Sequence, residues 1–180
     1  PLLYIIPSAM IVYGVTALNS KSLISINQKI KETIWTTNPH EPFRIDDYTV
    51  FAPAAAVYAL NMAGVKGKHH FIDRTVLYAL SMAISTAVTV TVKNTSKELR
   101  PDGSNLFSFP SGHTSSAFVA AEFLRREYKH LSPWYGIAGY IVASGTGFLR
   151  IYNNKHWLSD VVAGAGIGIL SVHAAYWIYP

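Results

Sequence analysis

Residues 109–124 read Phe-Pro-Ser-Gly-His-Thr-Ser-Ser-Ala-Phe-Val-Ala-Ala-Glu-Phe-Leu, a polar turn that runs directly into an apolar helix. Ser111 is a natural helix cap, and Gly112 lets backbone amides come close to a ligand. The unpaired N–H groups of the first turn also carry the positive end of the helix dipole. An anion site therefore belongs at the mouth of a helix that is otherwise hydrophobic. Alone, this tetrapeptide would be an ordinary capped turn; its neighbours on both sides give it chemistry.

Upstream, Lys93 is followed after six residues by Arg100-Pro101. Downstream, Arg150 is followed by His156 and then Asp160. A guanidinium can grip two phosphate oxygens through its planar fork, while a lysine supplies a point charge. Lys93, Arg100 and Arg150, with Ser111 and Gly112, form a phosphate-binding set. His156 and Asp160 stand four residues apart and share a helical face, so the carboxylate can orient the imidazole and leave its other nitrogen as a nucleophile. His113 is a second imidazole, suited to protonate a leaving alkoxide and then activate water. Phosphoryl transfer asks mainly for positioning and charge neutralisation. A two-metal alternative would need several converging carboxylates, and near these motifs stand only Asp102 and Asp160, so no metal and no cofactor is expected.

Further outward, the chain looks like a membrane protein. Of its 180 residues, 50% are hydrophobic and 14% charged, and the charges gather in short clusters between apolar runs. Apolar segments cover roughly 2–18, 48–65, 75–92, 114–124, 133–149 and 157–179. The expectation is an all-α, six-helix transmembrane bundle forming a single domain over residues 1–180. The fourth segment is short, and its Glu122, Arg125 and Arg126 are expected to snorkel at its end. The chain opens on Pro1 without methionine, so the first apolar stretch reads as a trimmed span or the remainder of a longer leader. Small residues at 52–56, and Gly164, Gly166 and Gly168, favour close helix packing. Tyr48, Trp134, Tyr135, Trp157, Trp177 and Tyr179 fall near segment ends, where amphipathic rings meet headgroups. Leu23, Ile26, Ile30 and Ile34 recur at helical spacing, which predicts an amphipathic interfacial helix over residues 23–34, between helices 1 and 2. Pro39 and Pro42 end it, and Asp46 or Asp47 is expected to cap the next helix.

Six alternating helices fix the sidedness of the motifs. The ends of helices three and five and the starts of helices four and six all lie on one membrane face. Lys93, Arg100, Ser111, Gly112, His113, Arg150, His156 and Asp160 all fall there. An odd number of spans between them would have prevented assembly. Lys66, Lys68, Arg74, Arg125, Arg126 and Lys129 crowd the tight loops of the opposite face, which the positive-inside rule makes cytoplasmic. The site would then be extracytoplasmic. The net charge of +5 forms no aromatic-interleaved basic stripe, so nucleic acid is not the expected partner. The partners are the lipid bilayer and a membrane lipid phosphate. With zero cysteines, disulfides and thiolate metal sites are excluded.

As they stand, Lys93–Pro101, Pro110–His113 and Arg150–Asp160 resemble the three signature motifs of the type 2 phosphatidic acid phosphatase (PAP2) superfamily, which also contains vanadium haloperoxidases. The resemblance spans Lys93 to Asp160, with every motif position filled. It implies a PAP2/haloperoxidase-type bundle in which Lys93, Arg100, Ser111, Gly112 and Arg150 bind phosphate. It also implies His113 as the acid and His156 as the nucleophile supported by Asp160. The short chain and its spans are similar to bacterial integral lipid phosphatases. The stretches RPDGSNLFSFPSGHTSSAF and LRIYNNKHWLSDVVAGAGIGIL further resemble Bacteroidetes proteins related to the lipid A 4'-phosphatases. Lipid A phosphate, phosphatidylglycerophosphate, undecaprenyl diphosphate and phosphatidate are the candidate substrates. A non-catalytic lipid-binding scaffold and a haloperoxidase-like oxidase are the rival classes.

Overall fold

The computed structural model describes residues 2–179. Pro1, at the head of the first apolar stretch, lies outside them. The described residues form eight α-helices: α1 (Leu2–Ala17), α2 (Lys21–Lys31), α3 (Asp46–Thr49), α4 (Ala52–Met62), α5 (Phe71–Ser96), α6 (Gly112–Tyr128), α7 (Trp134–Tyr152) and α8 (Leu158–Ile178). No strand occurs among them. A π-helical turn, Glu32–Thr36, extends α2.

Two of these helices, α5 and α8, are long and apolar enough to cross a membrane. The segment expected over 48–65 is instead broken into the four-residue α3 and the eleven-residue α4. Pro53 is the physical reason: it sits in the first turn of α4, where its missing N–H costs nothing, and it cannot continue a helix arriving from α3. The amphipathic segment does form a helix, and α2 with its π turn leaves α1 at 92°.

The bundle is built around α6, which packs on α4, α5, α7 and α8. On one side Ala117, Phe118 and Ala121 meet Val50, Ala143 and Ala165. On the other, Ala120, Phe123, Leu124 and Tyr128 meet Ala54 and Val57. This central position explains why the shortest apolar run of the sequence is still a helix: its neighbours, rather than lipid, cover it.

It also overturns the expectation for Glu122, which does not snorkel. Its side chain is fully buried, gripped by Arg125 through Nε and Nη2 at 2.6 Å each, by Arg126 Nε at 3.2 Å and by the Tyr140 hydroxyl at 2.6 Å. A carboxylate withdrawn from water requires such partners. His173 joins this cluster, with its Nδ1 facing Arg126 Nη2 at 2.6 Å and its Nε2 3.3 Å from Glu122 Oε1.

The glycines of α8 set the distance between α8 and the start of α6. A Cβ at Gly164 would lie 2.6 Å from the Ser111 carbonyl oxygen, and one at Gly168 would lie 2.3 Å from that of Ser115. Hydrogen at these positions lets the turn at 110–113 press against the helix that carries Asp160. Around the bend, α1 approaches α8 equally closely, since a Cβ at Gly166 would meet the Pro7 carbonyl oxygen at 2.5 Å.

Candidate active site

Ser111 caps α6 as expected. Its Oγ accepts from the Thr114 amide at 3.4 Å and from Thr114 Oγ1 at 2.9 Å, and its own amide donates to the Asp160 carbonyl at 3.0 Å. That last bond joins the second and third motifs directly. At Gly112 a Cβ would touch only Thr89 Cγ2, at 3.8 Å, so packing does not require glycine there. The bare backbone instead leaves the helix mouth open to an approaching anion.

The three expected cations converge. Lys93 lies in the last turn of α5, which Lys97 closes in the left-handed conformation with φ 47°. Its Nζ donates to the carbonyls of Phe107 at 2.6 Å and Ser108 at 3.2 Å, so the amine is held over the loop leading to Ser111. Arg100 sits at a turn closed by bonds from its amide to the Asn105 carbonyl and from the Gly103 amide to its own carbonyl. Arg150 ends α7 with 8% of its surface exposed. The Nε atoms of Arg100 and Arg150 are buried and make no protein hydrogen bond among the described residues. Burial, followed by the proximity of Arg150, lowers the pKa of Arg100 from its ordinary value. Like charges held this close favour an anion between them.

His156 lies in the turn between α7 and α8 with 3% exposure. The amides of Lys155 and His156 both donate to the Arg150 carbonyl, at 2.9 and 3.2 Å, so the chain folds back on the end of α7. Asn154, at φ 56°, makes the reversal. Burial first, then the charges of Lys93, Arg150, Arg100 and His113, push the His156 imidazole well below the usual histidine range. It is therefore neutral at neutral pH, the form that has a lone pair.

Asp160 Oδ2 stands 3.4 Å from Nδ1 of the neutral His156 ring. The carboxylate is held by two closer donors, Ser108 Oγ at 2.5 Å and the Trp157 amide at 2.9 Å. Ser108 Oγ is itself 3.5 Å from His156 Nδ1. The expected pair is thus a cluster of three, with a fully buried serine tying the loop after Arg100 to the carboxylate of Asp160.

Sequence reasoning also missed the acidic pair before α4. Neither Asp46 nor Asp47 caps it: Phe51 occupies that position and caps with no side-chain bond. Asp46, 1% exposed, accepts from Arg150 Nη1 at 2.5 Å and from Asn153 Nδ2 at 3.2 Å. Asp47 Oδ1 faces His113 Nε2 at 3.0 Å. Two further bonds, Phe43 amide to Asn153 Oδ1 and Asn153 Nδ2 to the Phe43 carbonyl, clip this segment to the end of α7. The sidedness rule contained the missing signal, because it puts residues 46 and 47 on the motif face, where carboxylates among buried cations must find partners. Asp46, Asp47 and His113 also lie near enough to share a cation. Asp46, however, is committed to Arg150, and Asp47 to the imidazole.

The structure therefore brings Lys93, Arg100, Ser111, Gly112, His113, Arg150, His156 and Asp160 to one end of the bundle. Comparison with known proteins agrees with the fold and the motifs. Residues 74–180 match the PAP2 superfamily model, and the chain belongs to that superfamily. It is 39% identical over 164 residues to the lipid A 1-phosphatase of Porphyromonas gingivalis, a match covering 89% of this chain and 37% of that protein. The relative is named for the 1-phosphate, whereas the sequence stretches above resembled 4'-phosphatases. The chain thus spans well under half the length of this curated relative. Among solved structures, the transmembrane PAP2-type phosphatidylglycerolphosphate phosphatase from Bacillus subtilis superposes with a TM-score of 0.68 at 21% identity, covering 96% of this chain and 95% of that one. Aquifex aeolicus LpxE superposes with a TM-score of 0.62 at 22% identity, covering 84% and 95% respectively. Both likenesses concern the fold.

Proposed function

We propose that this chain is a metal-independent lipid phosphatase that hydrolyses a phosphomonoester, or a terminal diphosphate, at the membrane surface. The observation that carries the reading is a buried, neutral His156 set beside three cations and backed by a carboxylate held by Ser108. His156 attacks phosphorus through the nitrogen opposite Asp160, forming a P–N bond as the P–O bond to the lipid breaks. The electron pair leaves on the lipid oxygen, which takes a proton from the His113 imidazolium. Water then attacks the phosphohistidine, giving its proton to the now neutral His113. The P–N electron pair returns to His156, and inorganic phosphate departs. Lys93, Arg100, Arg150 and the amides at Gly112 hold the equatorial oxygens throughout.

The substrate favoured by the 39% identity is the 1-phosphate of lipid A, with phosphatidylglycerophosphate the next to test. Between α5 and α6 a cavity of about 250 Å³ extends from Lys93 and Gly112 to Ser85 and Ser115, which supports lateral access for a lipid. Six spans, with α3 and α4 together as the second, and α2 in the interface set the site on the periplasmic face of the cytoplasmic membrane. The right-angle bend after α1 supports the interfacial position of α2. A panel of lipid phosphates, scored by inorganic phosphate released by the purified full-length protein in EDTA, tests the reading. Release from none of them, or release only after a divalent ion is added, would overturn it.

A further inference from the structure

The chemistry proposed above gives His113 two tasks, donating a proton to the departing lipid oxygen and then receiving one from water. Neither the helix that carries it nor the signature motif supplies a group to hold its ring. The partner comes from elsewhere in the chain: Asp47, in the second position of α3, places Oδ1 3.0 Å from His113 Nε2. The side chains are 53% and 39% exposed respectively, so the pair stands at the rim of the site.

Other charges face this ring. Burial first, and then Arg150 from α7, oppose a positive charge on it, while Asp47 and, from the same short helix, Asp46 favour one; His156, from the turn before α8, faces it as a neutral ring. Asp46 is committed to Arg150 at 2.5 Å and to Asn153, which leaves Asp47 as the carboxylate in direct contact with the imidazole. The segment that carries Asp47 is not free to drift. Asn153 clips it through Phe43, and the Thr49 hydroxyl meets Thr146 Oγ1 at 2.9 Å.

The geometry points to Asp47 as the positioning residue of the proton carrier, a second aspartate–histidine dyad alongside Asp160 and His156. This rests on the phosphatase reading above. With Nε2–H directed at Asp47, the proton delivered to the lipid oxygen is the one on Nδ1. Burial and Arg150 lower the pKa of this ring, and the Asp47 carboxylate offsets part of that shift, so Asp47 favours the imidazolium that donates. The two dyads have opposite tasks. Asp160 orients a ring that must be neutral to attack, and Asp47 supports a ring that must be charged to donate.

Leaving-group chemistry separates this role from a merely structural ion pair. An alkyl phosphate expels a strongly basic alkoxide and needs the acid, whereas p-nitrophenolate leaves without protonation. The ratio kcat/KM reports the steps through release of the alcohol, so it isolates the acid from later hydrolysis of the phosphoenzyme. The test compares the full-length wild type with Asp47→Asn, Asp47→Glu and His113→Ala on a lipid phosphomonoester and on p-nitrophenyl phosphate. Asp47→Asn is expected to lower kcat/KM for the lipid ester by about tenfold to a hundredfold. The loss on the aryl ester should be several-fold smaller, His113→Ala should show the same asymmetry more strongly, and Asp47→Glu should recover part of the lost rate. Equal losses on both substrates, or no loss on either, would overturn the role of Asp47 while leaving the phosphatase reading intact. A wild type that cleaves neither ester would overturn that reading itself.

Discussion

His156 illustrates how an environment keeps an imidazole neutral. Burial and the neighbouring charges of Lys93, Arg150, Arg100 and His113 all disfavour its protonated form, so the direction of its shift is downward. Its neutral form therefore persists as pH falls through about 6.5, where an unperturbed imidazole is half protonated. In histidine-labelled protein without substrate, the ring signal that disappears in His156→Gln should stay in the neutral form at that pH. A midpoint at or above it would contradict the charge arrangement. His156→Ala should abolish phosphate release while leaving the thermal transition in detergent nearly unmoved. Ser108 offers a finer test: removing its hydroxyl deprives a buried carboxylate of one of its two donors, a loss of about 1.5–3 kcal/mol. If that support is needed in the transition state, Ser108→Ala lowers kcat by about tenfold or more in a phosphate-release assay.

Among the elements, the seam between α6 and α8 matters most for the site. Gly168→Ala puts a Cβ 2.3 Å from a backbone oxygen of α6, and the helix axis cannot yield as a flexible side chain would. The expected cost is about 1–3 kcal/mol, read as a lower unfolding temperature in detergent. Gly145, exposed on α7 with nothing within 4 Å of a built Cβ, supplies the opposite case. There, Gly145→Ala should raise stability by about 0.5–1 kcal/mol through helix propensity alone. If both substitutions behave alike, close packing is not what the α8 glycines provide. Helix α2 also does more than lie beside the bundle. Asn27 donates to Ser159 Oγ at 2.8 Å, and Lys31 Nζ donates to the Pro101 carbonyl at 2.7 Å, so α2 braces the first turn of α8 and the loop that carries Arg100.

At the scale of the whole molecule, Asp46 and Arg150 join the start of the second apolar segment to the end of the fifth. Both partners are buried, so Asp46→Ala leaves a buried guanidinium without its counter-charge. That should destabilise the fold by about 3–5 kcal/mol, measured by thermal or chemical unfolding in detergent. The arrangement of spans is testable because the chain has zero cysteines. Ser104→Cys, near the site, should react with a membrane-impermeant maleimide in spheroplasts, and Lys129→Cys, at the opposite end of α6, should not. The reverse pattern would invert the topology.

The sequence by itself determined the helical class, the family to which the chain belongs, and three motifs whose eight residues the fold gathers at one end of the bundle. Each of these depends on local spacing or on hydrophobic periodicity, which the chain displays without being folded. Only the tertiary structure decided that Glu122 is buried rather than snorkelling, that Pro53 divides the second apolar segment, and that Ser108, Asp46 and Asp47 meet Asp160, Arg150 and His113. Those outcomes depend on which distant residue a charge meets in a low-dielectric interior. Arg150 and Asp46 are separated by 104 positions, and their partnership exists only after α3 and α7 have packed.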